Sequence, residues 1–154
     1  MTGRIDRRLD ELGITLPDAP APAANYVPYV ISGDLVFISG QISVDADGLR
    51  TGKVGAEIGV EEAIGSARCC GLALIAQLKA ACGSNLDRVE QVVKLTGFVN
   101  ATPDFSQHPA VVNGCSDLMV DVFGPAGAHA RAAVGAGSLP LGVQVEIEGI
   151  FRIG

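Results

Sequence analysis

The sequence predicts an α+β domain in which two helices lie on one face of a sheet. Three observations lead there. Residues 60–81 place Ala63, Ala67, Leu74, Leu78 and Ala81 on or near one helical stripe. Residues 108–124, "HPAVVNGCSDLMVDVFG", form a second helical stretch, opened by Pro109 and closed by Gly124. Between and around them stand β-branched runs, among them the uninterrupted "VEQVVKLTGFVN". The resulting order is β-β-α-β-α-β-β after a short N-terminal helix, a pattern that segregates helices to one side of a sheet.

Each element has a local cause. Ile5, Leu9 and Leu12 recur at helical spacing with Arg and Asp between them, and Gly13 follows, which describes a short amphipathic helix. It reads as an N-terminal appendage. "LPDAPAPAAN" supplies Pro17, Pro20 and Pro22, which forbid a helix and favour an extended linker over the surface. Residues 1–24 are thus helix and linker, and 25–154 the main domain. "YVPYVISGDLVFISGQISV" reads as two strands joined at Ser32-Gly33-Asp34. The Gly- and Asp-rich "DADGLRTGKVG" is an exposed loop. Glu61 and Glu62 favour the positive end of the helix over 60–81, and Cys82-Gly83 ends it. Residues 89–100 suit a central strand. The last part of the chain is a strand, a turn at Leu139-Pro140-Leu141-Gly142 and a final strand "VQVEIEGIFRI", the two strands expected to pair antiparallel. The second face of the sheet has no helix left to cover it, so oligomerisation is expected.

Composition excludes several functions. The 154 residues are 48% hydrophobic and 18% charged, without tryptophan, which is a globular composition short of polar cover. A net charge of −6 and the lack of a basic run disfavour nucleic acid as a partner. No apolar run approaches the roughly 20 residues of a membrane span, and "MTGRIDRRLDELG" lacks the apolar core of a secretory signal, so a cytoplasmic protein is expected. Cys69, Cys70, Cys82 and Cys115 include no CxxC, and His108 and His129 stand at no ligand spacing from them. No metal site is expected, and the thiols should be buried or half-buried.

The charges near the C-terminus raise a question of purpose. In the final strand Glu146 and Glu148 alternate with Val145 and Ile147, so both acids lie on one face. They read either as a solvated outer face or as part of a site. Arg131 reads either as a residue flanking a strand or as the partner of Glu146 at one small ligand, provided the two strands pair.

"SGQIS" after a hairpin, and "RAAVGAGSLPLGVQVEIE" near the C-terminus, resemble the two signature regions of the RidA/YjgF family, the reactive enamine/imine deaminases, some of them described as L-PSP-like endoribonucleases. The likeness covers roughly residues 20–153, and its C-terminal motif is specific: Leu139 and Pro140 stand eight and nine residues after Arg131, and Glu146 fifteen. It implies a mixed sheet backed by two helices, like chorismate mutase of the trimeric type, a homotrimer whose sheets form a central barrel, and an active site in each cleft between subunits. It also implies residue roles. Arg131 would hold the substrate carboxylate, Glu146 would position or activate water, and Tyr26, Ser39, Gly40 and Asn113 would complete the binding site, with Tyr29 as the rival of Tyr26. No cofactor is implied.

The departures are as informative. Ala133 stands where many members have a cysteine, so no mechanism here uses a thiol. Ala128-His129-Ala130 replaces the common Phe-Pro-Ala, which alters the pocket wall. His129 reads either as a new base or ligand contact, or as a rim residue. The N-terminal helix and the longer "NATPDFSQHPAVVNG" mark a side branch. The implied activity is hydrolysis of 2-imino acids or their enamine tautomers to 2-oxo acids and ammonia. A trimer that binds small carboxylates without turnover is the alternative, and a ribonuclease fits the charge least.

Overall fold

The computed structural model describes residues 2–19 and 25–154, so Pro20 and Pro22 of the expected linker lie outside the described residues. In chain order the elements are α1 (Arg4–Glu11), β1 (Tyr29–Ser32), β2 (Leu35–Ile42), β3 (Val44–Asp45), β4 (Gly48–Leu49), α2 (Val60–Ala81), β5 (Val89–Asn100), α3 (His108–Phe123), β6 (Ala130–Ala136) and β7 (Val145–Ile153). The main sheet runs β1-β2-β7-β5-β6. All its pairs are antiparallel except β5 with β6, which makes the sheet mixed.

One face of the sheet forms the core with both long helices. Val36 and Ile38 of β2, Leu95 and Val99 of β5, and Val145, Ile147 and Phe151 of β7 are buried in one cluster with the α2 stripe Ala63, Ala67, Leu74 and Leu78. Strand alternation explains why these positions and not their neighbours are inside. At Gly114, α3 meets α2 backbone to backbone, since a methyl group there would run into the Ile64 carbonyl. Larger side chains are excluded at that crossing, and the helices approach closely because of it.

Two expectations change. The N-terminal helix is no appendage: Ile5 and Leu9 are 1% and 5% exposed and belong to the same core. Its first two free amides, of Arg4 and Ile5, donate to the Asp87 carboxylate at 2.9 and 2.8 Å, which lowers the pKa of Asp87. The loop at 45–55 also holds more order than its composition suggests. It contains the β3–β4 hairpin, pinned by Arg50, which donates to Ser66 Oγ, Asp45 and the Glu62 carbonyl.

The larger correction concerns β6 and β7. They do not pair. β5 lies between them, parallel to β6 and antiparallel to β7. Residues 137–144 are not a hairpin turn; they carry the chain across the end of β5, held where Gly52 N donates to Gly142 O, Gln144 N to Arg50 O, and Asn100 N to Gln144 O. The β5–α3–β6 crossover accounts for the arrangement, because a helix between two strands brings them back parallel and adjacent.

Candidate functional site

On the face of the sheet away from the helices, Glu146 and Glu148 stand in one row of β7, opposite Phe98 and Thr96 of β5. Beside them the pairing of β2 with β7 slips: Ile38 faces Gly149, but Gln41 faces Ile147. Ser39 and Gly40 are therefore a β-bulge, one residue more than β7 supplies opposite. The bulge brings the Gly40 backbone under the Glu146 carboxylate, where an added Cβ would lie 2.8 Å from Oε2 and 2.9 Å from Cδ. A side chain at position 40 would push the Glu146 carboxylate off this seat.

Ser39 fixes the next segment. Its amide and hydroxyl donate to the Pro28 and Val27 carbonyls at 2.9 and 2.8 Å, tying residues 26–28 to the bulge. Tyr26 is 52% exposed on that segment. Tyr29 faces the other way and packs on the core. Four of the expected site residues, Tyr26, Ser39, Gly40 and Glu146, thus lie on or near one stretch of the bulge.

Burial raises the Glu146 pKa above the ordinary glutamate value, and the neighbouring Glu148 charge raises it further. A half-buried carboxylate with a like charge beside it and no cation paired to it among the described residues is easier to protonate than most. Such a group is suited to taking and returning a proton.

Arg131 and Asn113 lie elsewhere. Arg131 pairs with Leu95, a core-facing residue, so its side chain leaves β6 on the helix side of the sheet. There its Nη1 donates to Asn113 Oδ1 at 2.7 Å and to Ser116 Oγ at 3.2 Å. Ser116 was not visible as a site residue from composition or motif. The one available signal is its spacing of three from Asn113, which puts both on one side of α3. His129 completes the group, with Nε2 2.9 Å from Ser116 Oγ and Nδ1 2.6 Å from the Gly127 carbonyl. Ala133, two residues from Arg131, is partly buried against the core.

Within one chain Arg131 and Glu146 are therefore separated by β5 and lie on opposite faces of the sheet. A mostly apolar concavity of about 640 Å³, lined in part by Leu16, Pro17, Ile42, Cys69 and Leu72, contains neither residue. Burial pushes the Cys115 pKa up to about 12 and that of Cys70 well above its usual value, which keeps these two thiols protonated. Among the described residues no cluster of His, Cys, Asp and Glu could hold a metal ion, and no helix is long and apolar enough to cross a membrane.

Residues 6–147 match the family described as "YjgF/chorismate_mutase-like, putative endoribonuclease". The chain is 47% identical over 154 residues to protein TCP17 of Trypanosoma cruzi, covering 99% of this chain and 96% of that one. It is 30% identical to the 2-iminobutanoate/2-iminopropanoate deaminase of Dermatophagoides farinae, over 91% and 94% of the two chains. The crystal structure of Atu1372 from Agrobacterium tumefaciens, described there as of unknown function, superposes with a TM-score of 0.90 at 44% identity, over 97% of this chain and 92% of that one.

Proposed function

Given that the chain belongs to the YjgF/chorismate mutase-like family, we propose that it hydrolyses 2-imino acids, or their enamine tautomers, to 2-oxo acids and ammonia in a cleft shared by two copies. The observation that carries this reading is Glu146, a carboxylate whose pKa is raised by burial and then by Glu148, seated over a glycine bulge with no cation paired to it among the described residues. The likeness to a named imine deaminase supports the same chemistry.

The steps follow from the groups available. Arg131 holds the substrate carboxylate through its planar fork, with Asn113 steadying the guanidinium. Ionised Glu146 takes a proton from water as the oxygen attacks the imine carbon and returns it to nitrogen, giving a carbinolamine; it then moves the hydroxyl proton to that nitrogen, so that C=O forms as the C–N bond breaks and ammonia leaves. Ser39, the Gly40 backbone and Tyr26 line the approach. Such imines hydrolyse unaided in water, so positioning and a proton relay worth about 10²–10⁴ in rate are all the protein must add. Four free thiols fit a reducing cytoplasm as its place of action.

Two copies are needed because the carboxylate anchor and the proton-transfer group face opposite ways in one chain. The outer edge of β6 in one subunit, set against the bulge end of the next, unites them. Apolar side chains on the uncovered face supply the contact, Phe37 and Val134 being 41% and 45% exposed with Phe98 between their strands. Sedimentation equilibrium should report a homotrimer at micromolar concentration, unchanged by reductant; a stable monomer would refute the shared cleft.

The activity is tested by generating 2-iminopropionate with an amino-acid oxidase, trapping what remains with semicarbazide, and comparing rates with and without protein. Wild type should accelerate hydrolysis. If it binds pyruvate and accelerates nothing, the protein is a carboxylate-binding trimer instead.

A further inference from the structure

We propose that Ser116 and His129 form a directional relay that locks the Arg131 guanidinium with one fork open, so that His129 is a positioning residue and not the base of the cleft. The proposal deepens the carboxylate-anchor reading of Arg131 and rests on it.

Direction follows from which atoms can donate. The Gly127 carbonyl can only accept, so the proton between it and His129, at 2.6 Å, belongs to Nδ1. A neutral ring then presents a lone pair at Nε2, and Ser116 Oγ lies 2.9 Å from it. The serine hydroxyl has one hydrogen, which goes to Nε2. Its lone pairs are left to face Arg131, whose Nη1 donates to it at 3.2 Å. The same Nη1 donates to Asn113 Oδ1 at 2.7 Å.

An arginine Nη carries two hydrogens, and both on Nη1 now have acceptors on α3. Nε and Nη2 of Arg131 have no partner among the described residues, and they make up the side-on fork that matches the two oxygens of a carboxylate. The relay thereby chooses which of the two forks is offered. The far end of the relay is fixed too. Gly127 is buried so closely against α3 that a Cβ would collide with the Met119 carbonyl. Gln91 Nε2 donates to the carbonyls of Ala126 and Ala128 on either side of it. With both ring nitrogens engaged, His129 has none free to receive a substrate proton.

The test uses the full chain in its native assembly and two readouts, the dissociation constant for pyruvate and the heteronuclear NOE of the Arg131 Nε–Hε group. His129→Ala and Ser116→Ala should each weaken pyruvate binding by about threefold to tenfold, the worth of one hydrogen bond, and lower the NOE. The double variant should be no worse than either single one, because both changes break one chain of bonds. His129→Gln, whose Oε1 can accept the serine proton, should recover part of the loss. In the imine assay KM should rise with kcat little changed. Additive losses, an unchanged NOE in His129→Ala, or a fall in kcat at constant KM would overturn the relay, the last by making His129 a proton-transfer group. A wild type that binds no pyruvate would instead sink the carboxylate reading, and the NOE alone would then decide whether His129 orders Arg131.

Discussion

Glu146→Gln is expected to cut the acceleration of 2-iminopropionate hydrolysis by about tenfold or more, the scale of acid–base help, while pyruvate still binds. The amide keeps the shape and most hydrogen-bonding capacity of the carboxylate but cannot accept the proton of water. Glu148→Gln is the control on the same strand face, and its effect on the rate near neutrality should be the smaller. It should instead shift the pH profile. Glu146 works as a base only when ionised, so activity rises as pH passes its raised pKa; removing the like charge of Glu148 lowers that pKa and moves the acid limb to lower pH. Equal damage from the two substitutions would show that the wrong glutamate has been assigned.

Stability should move in the opposite direction to activity. Because the folded-state pKa of Glu146 is raised, the folded chain holds this proton more strongly than the unfolded chain does. Glu146 therefore costs no stability below the unfolded carboxylate pKa, and its penalty grows as pH rises through the folded value. Glu146→Gln should raise the melting temperature at neutral pH and leave it unchanged in acid. A lower melting temperature at pH 7 would show that the carboxylate is held by favourable contacts and is not strained by burial.

Co-expression of Arg131→Ala with Glu146→Gln should restore about a quarter of the wild-type rate, although each variant alone is expected to keep about a tenth or less. In a trimer whose clefts take Arg131 from one copy and Glu146 from the next, every mixed assembly contains one cleft with both residues intact, and random assortment makes about three assemblies in four mixed. Sites built within single chains would give only the average of the two poor activities. The expectation comes directly from the sheet: Arg131 leaves the edge strand β6 on the helix side, Glu146 rises from β7 on the other, and β5 separates them. No side-chain rotation brings the two together in one chain. A mixture no more active than its components would refute the shared cleft even if the protein were trimeric.

Local pattern was enough for a large part of this structure. The helix over 60–81 and the strand over 89–100 have the bounds expected from sequence, because apolar spacing, Glu61 and Glu62 at the start and Cys82-Gly83 at the end are properties of consecutive residues. The alternation of Val145 and Ile147 with Glu146 and Glu148 was legible for the same reason. The motif residues could be named as well, including Arg131, Asn113, Ser39, Gly40 and Glu146. What they do for one another could not. Whether β6 pairs with β7 or with β5 depends on where the α3 crossover returns the chain, and that choice decided the face on which Arg131 emerges. The bulge that seats Gly40 under Glu146 exists only once β2 is registered on β7. Ile5 and Leu9 are core residues because their helix docks on the domain, its first amides capped by Asp87 from a distant part of the chain. The Ser116–His129 relay likewise joins α3 to the segment before β6. Period and composition record which side a residue faces within its own element, whereas strand order, register and helix docking are set by contacts between distant segments, and those contacts form only when the whole chain closes around one core.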